Sequence, residues 1–209
     1  MNDDYWAAVT AVRLQIADLL DTLGAEEWEA QSLCAEWRVR DVAGHVALVP
    51  TITTWQMLSV APRARFNMHR MNTLLAQRAG SAPTDSIVTK LRQHAADQTT
   101  ARVLNVADSL FDVVVHSQDI ARPLGRTLTV PADHTRAGLE RVWTMGWPFN
   151  AKKKLAGLQL TATDTDWTVG AGPEITGSAM ALLLLLTGRT ATANPELNGA
   201  GVLRLSHVT

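Results

Sequence analysis

The sequence predicts an α+β chain in which an all-helical N-terminal part precedes a small mixed C-terminal part. Three observations carry this. Apolar residues recur at threes and fours through the first 124 positions. Short alternating segments occur only after that point. Gly125 and Pro131 stand between the two regimes as chain breakers. The expected division is a helical bundle over residues 1–128 and an α+β domain over 129–209.

Tyr5, Val9, Val12, Ile16, Leu19 and Leu23 form one face of a first helix that Gly24 should stop. Val39, Val42, Val46 and Val49 restart the pattern, with His45 beside them. Pro50 should kink this second helix, which is expected to run on into the 50s or 60s. A third helix opens at Thr84 or Asp85 and turns Ile87, Leu91 and Ala95 inward. The fourth spans about Leu104 to Leu124 and ends at Gly125. Beyond the boundary, residues 134–147 read as one more helix. Residues 155–163 and 167–170 read as strands around the turn residues Asp164, Thr165 and Asp166. "AMALLLLL" is a buried helix, too short for the ~20 residues that cross a bilayer, and "GVLRLSHV" reads as a last strand.

Composition removes several function classes. The 209 residues are 46% apolar and 19% charged, with a formal net charge of -1. No basic run exceeds Lys152, Lys153 and Lys154, so neither nucleic acid nor an anionic membrane is an expected partner. Cys34 is the one cysteine, which fits a reducing compartment, and "MNDDYWAAV" lacks the order of a signal peptide. The expected location is the cytoplasm.

The fourth helix poses the main question. Asn105, Ser109, Asp112, His116 and Asp119 share one face, while Leu110, Phe111, Val113, Val114, Val115 and Ile120 occupy most of the rest. Either the stripe is the helix's wet side, or it points inward and an acid and a His one turn apart begin a metal site. A third ligand would then come from another helix. His45, at the edge of an apolar face, is the first choice, although such a histidine is also common in ordinary cores. His94 beside Leu91 is the reserve. His69 lacks an apolar frame, and His134 and His207 lie beyond the boundary.

The stretches "LCAEWRVRDVAGHVA" (33–47), "DVVVHSQDIARPLG" (112–125), "LLLLLTGR" (182–189) and "LNGAGVLRL" (197–205) together resemble the mycothiol-dependent maleylpyruvate isomerase family of the DinB-like superfamily. The resemblance implies an N-terminal four-helix bundle, a small α+β domain and a divalent metal, zinc foremost. Carried over residue by residue, it implies that His45, Asp112 and His116 are the metal ligands. The family usually has Glu where Asp112 stands. A carboxylate one methylene shorter then requires a helix shift, a closer metal or an intervening water. Arg38 replaces the common Ser or Thr at the helix start, and Asp41 is expected to compensate there.

Two imidazoles and one carboxylate leave open positions, as catalytic metal sites do. With mycothiol as the implied cofactor, the expected chemistry is isomerisation of a small electrophile, or transfer of the thiol to it. Arg189 matches the family's C-terminal Gly-Arg, and could clamp a carboxylate or answer the negative end of its helix. Asp119 could orient a ligand, pair with Arg122 or face water. Cys34 is expected to play no catalytic part. The competing class is a binding protein that keeps the fold and holds a small ligand without turnover.

Overall fold

The structure is a computed structural model, and it describes residues 2–98 and 106–207. The chain falls into two compact units, Met1–Thr129 and Val130–Thr209.

The first unit is helical. Helix α1 (Asn2–Leu20) buries Val9, Val12, Ile16 and Leu20, the stripe its threes-and-fours spacing dictates. A short α2 (Ala25–Glu29) follows, its start held by Glu27 Oε2, which accepts the Gly24 N–H at 2.9 Å. Helix α3 (Val39–Leu48) is almost wholly buried. No side chain of Arg38 caps it; instead Asp41 accepts the Arg38 backbone N–H at 2.9 Å and the guanidinium Nε at 3.0 Å. The expected compensation by Asp41 is thus what the helix start uses.

The second helix does not run on through the 50s. After Leu48 the chain tightens into a 3₁₀ turn at Val49–Thr51, because Pro50 has no N–H to continue the ladder. A separate α4 (Thr54–Val60) then starts, with Thr53 Oγ1 accepting the Gln56 N–H at 3.2 Å. The sequence reading also passed over a whole helix, α5 (Met68–Gly80), capped by Asn67. Helix α6 (Thr84–Gln93) buries Ile87 and Leu91 as expected, but Pro83 occupies its cap position and neither Thr84 nor Asp85 caps it. Helix α7 (Val106–Ala121) passes into a 3₁₀ turn at Arg122–Leu124 and stops at Gly125, whose φ of 65° suits a residue without Cβ.

Helices α1, α7, α3 and α6 pack each against the next, and α5 lies along α3. The α3–α5 crossing is close because Gly44 and Gly80 face each other: a Cβ on Gly44 would stand 2.4 Å from Gly80 N. Arg40 ties the same crossing by donating from Nη2 to Ala82 O at 2.9 Å.

The second unit opens with α8 (Ala132–Thr144) and α9 (Ala151–Lys154). Strands β1 (Gln159–Ala162), β2 (Thr168–Gly170) and β3 (Glu174–Gly177) form a sheet of order β2-β1-β3, antiparallel on one side of β1 and parallel on the other. β3 had no counterpart in the sequence reading. Its inner residue Ile175 is fully buried beside Leu160. Helix α10 (Ala179–Leu186), capped by Ser178, packs on α8 and ends before α11 (Thr190–Ala193). The expected last strand is instead a 3₁₀ helix, Val202–His207. Gly199 at φ 102° turns the chain out of the sheet after Asn198 bridges Thr176, and i→i+3 bonds from Gly199 and Gly201 then wind it. No helix of the described residues is long and apolar enough to cross a membrane.

Candidate metal centre

The stripe on α7 faces inward. Ser109, His116 and Asp119 are buried, and the Asp112 side chain is 31% exposed. A solvent-facing stripe is therefore excluded; Asn105 lies outside the described residues.

Helix α3 delivers His45 to the same place. Its Nε2 lies 3.5 Å from Asp112 Oδ2, and His116 Nε2 lies 3.4 Å from Asp112 Oδ1. Both contacts are long for hydrogen bonds, and the buried His45 Nε2 has no hydrogen-bond partner among the described residues. A tetrahedral site with bonds of about 2.0–2.1 Å has ligand–ligand edges of about 3.3 Å. The two contacts thus have the spacing of coordination edges, and the ligand atoms of His45, Asp112 and His116 all lie within 4.8 Å of one another. The shorter acid needs no bridging water to come between the imidazoles.

His116 is oriented from behind. Its Nδ1 lies 2.8 Å from Asp119 Oδ2, and Asp119 is fully buried, so the carboxylate fixes the ring with Nε2 turned to Asp112. Among the alternatives for Asp119, exposure to water is thereby overturned. Cys34 shares that carboxylate, with Sγ 3.2 Å from Asp119 Oδ2. Cys34, His116 and Asp119 are also close enough to hold an ion. Their contacts are ordinary hydrogen bonds, however, so this group is already satisfied as it stands. The charges behave accordingly. Burial raises the Asp112 carboxyl, but the His116 and His45 imidazoles overcome it and hold the group far below the carboxylate range. Burial lowers His116, but Asp112, Asp119 and Cys34 lift it well above an ordinary histidine.

Sequence reasoning missed Trp37. Its ring lies 5.1 Å from that of His45 and 5.6 Å, near-parallel, from that of His116, and only 6% of the residue is exposed. The loop that carries it is knitted by Ser32 Oγ and Gln31 Nε2, which donate to Trp37 O at 2.7 and 2.8 Å. The Leu33 N–H pins the loop to Asp119 O on α7 at 3.2 Å. A Trp in a short polar loop just ahead of the His45 helix was the signal available. His94 is not brought to the centre: its Nδ1 pairs with Asp97 Oδ2 at 2.7 Å. His69 is exposed on α5, and His134 lies in the second unit. Arg189, also in the second unit, donates from Nη1 to Thr187 O at 2.7 Å, at the C-terminal end of α10.

The chain matches the family model described as mycothiol maleylpyruvate isomerase N-terminal domain over residues 9–110, a stretch that includes His45 and stops just short of Asp112. Among curated proteins none matches. Two solved structures do. One is the crystal structure of the mycothiol-dependent maleylpyruvate isomerase, with a TM-score of 0.65 and 14% identity, covering 96% of this chain and 93% of that one. The other is a His-to-Ala mutant of that isomerase, with a TM-score of 0.59, 13% identity and the same coverage. At such identities the likeness establishes the fold, an N-terminal helical domain followed by a small α+β domain. Residues 9–110 thus resemble the mycothiol maleylpyruvate isomerase N-terminal domain, and the chain has the fold of that isomerase.

Proposed function

We propose that the protein is a metal-dependent enzyme of the cytoplasm that uses a low-molecular-weight thiol, mycothiol, either to isomerise a small electrophilic substrate or as the group transferred to it through sulfur. The observation that carries this reading is the convergence of His45 Nε2, Asp112 and His116 Nε2 at coordination spacing, with one buried nitrogen left without a hydrogen bond.

A divalent cation held there, zinc foremost, would supply Lewis acidity that favours the thiolate form of a cofactor thiol, the form able to add reversibly to an activated cis double bond and leave a single bond free to rotate. The protein's own residues do the rest. His45 and His116 present their Nε2 atoms and Asp112 its carboxylate as the ligand set. Asp119 holds the His116 ring in one orientation through Nδ1. Trp37 walls the two imidazoles and keeps water from that side. Arg189 is assigned to bind a carboxylate of thiol or substrate; a guanidinium at a helix end is suited to a bidentate contact. Cys34 is a hydrogen-bond partner of Asp119 in this reading, and the nucleophile comes from outside the chain.

The test compares metal-loaded and chelated protein, with and without mycothiol, on a panel of cis-enoic acids and reactive electrophiles. Turnover should require both metal and thiol, survive Cys34→Ser, and show a raised KM with unchanged metal content in Arg189→Ala. Metal-loaded protein that binds a small molecule and turns over nothing with any thiol would instead identify a binding protein.

A further inference from the structure

A cavity lies in the N-terminal unit, lined by residues other than His45, Asp112 and His116. Gly44, Ala47 and Leu48 line it from α3, with residues of α4, α5 and α6 closing the other sides around about 280 Å³. Those α3 positions are spaced three and four apart and share one face, from which His45 is turned by about 100°. The volume falls just under that of drug-sized clefts, roughly 300 Å³ and upward, so the cavity suits a compact metabolite.

Its lining is sharply divided. Leu48, Leu75 and Ile87 form an apolar floor, while Arg78 and Lys90 bring two cations to it. Neither cation makes a hydrogen bond or ion pair among the described residues. Their neighbours in the same unit are not left so: Arg38 pairs with Glu29 and Asp41, Arg40 with Glu29, and Arg92 with Asp18 and Asp21. The sequence holds no Asp or Glu between Asp41 and Asp85, so the α4–α5 segment offers the cavity no internal anion. Gln56 and Ser86, also on the lining, add neutral donors. Burial pushes the Lys90 ammonium below its ordinary value, as expected of a cation with no anion beside it.

We propose that this cavity is a binding site for a small organic carboxylate with a compact apolar body, the ring or chain on the Leu48–Leu75–Ile87 floor and the carboxylate between Arg78 and Lys90. Buried apolar area supplies affinity and the paired cations supply the choice of an acid over a neutral analogue. The site is separate from the metal centre, and the proposal does not depend on the proposed reaction.

The test is titration calorimetry of the whole protein with benzoate, with benzyl alcohol as the uncharged analogue, on native and chelator-treated samples. Benzoate should bind more tightly than benzyl alcohol, and equally well after chelation. Arg78→Gln and Lys90→Gln should each weaken benzoate, and the double variant should do so by at least about tenfold while leaving benzyl alcohol unchanged. Neither side chain has a hydrogen-bond or ion-pair partner among the described residues, so neither substitution removes such a contact there. Absence of benzoate binding by the wild type, or affinity unchanged in the double variant, overturns the proposal. Binding that disappears on chelation and ignores both substitutions overturns it too, because it places the acid on the metal ligands.

Discussion

His116 shows how one residue's environment sets its chemistry. Without a cation Asp119 faces its Nδ1 and Asp112 its Nε2, and those two acids favour the doubly protonated ring, which is why its basicity rises. For a group with a raised folded pKa, the stabilising contribution is full below the unfolded value, about 6.5, and is lost as pH climbs through the folded value. Asp112 has the opposite sign: its contribution is present above about 3.9 and lost as pH falls through its depressed value. Chelated protein should therefore melt highest between about pH 4 and 6.5 on this account and lose Tm toward alkaline pH. A cation must displace the His116 proton, so its added stabilisation should grow over the same rise in pH. Thermal melts with and without metal from pH 5 to 9 check the crossing slopes; parallel curves would mean that His116 takes no part. Asp119→Asn should weaken the metal by about 10- to 100-fold, because a carboxamide holds the Nδ1–H less firmly. Competition against a chelating dye measures it, and an unchanged constant would remove Asp119 from the orienting role. The sequence displayed Asp112 and His116 together through their spacing of four on α7. It could not show that Trp37 and Cys34 reach His116 and Asp119, because a loop far from α7 in sequence is brought to it only by tertiary contacts such as the Leu33 N–H on Asp119 O.

At the scale of elements, α3 carries most of the design. It is buried on nearly every side, with His45 toward α7 and Gly44 toward α5. Gly44→Ala should destabilise the protein by about 1–3 kcal/mol, because the new methyl meets the Gly80 backbone and the two helices must part. Urea denaturation reads the cost, and a variant as stable as wild type would show that the crossing is looser than described. Helices α1, α3, α6 and α7 were legible because their inward residues are strongly apolar. α5 was not, since its buried positions Met71, Leu75, Ala76 and Gly80 sit among Arg, Asn and Gln and two are too small to register as apolar. The false strand at residues 202–205 has a related cause. Val202, Leu203 and Leu205 suggest alternation, yet Leu203 is 82% exposed and Leu205 buried, a period of three fixed by the glycines ahead of it.

At the scale of the whole molecule, two folding units with different grammar occur in one chain, and the switch at Gly125 to Pro131 was visible because breakers coincide there with the change of period. The second unit rests on α10, whose leucines are all but excluded from solvent. The first holds two features with separate chemistries, the His45–Asp112–His116 cluster between α3 and α7 and a cavity with two cationic side chains on another face of α3. The central claim concerns the ligand set, and metal content tests it most directly. Elemental analysis of purified protein should find about one divalent cation per chain, lost or sharply reduced in His45→Ala and in His116→Ala and kept in His94→Ala. Asp112→Glu should keep the cation, and Asp112→Asn should weaken it. Equal metal in wild type and His45→Ala, or none in the wild type after incubation with zinc, would contradict the account and leave His45 as a core histidine.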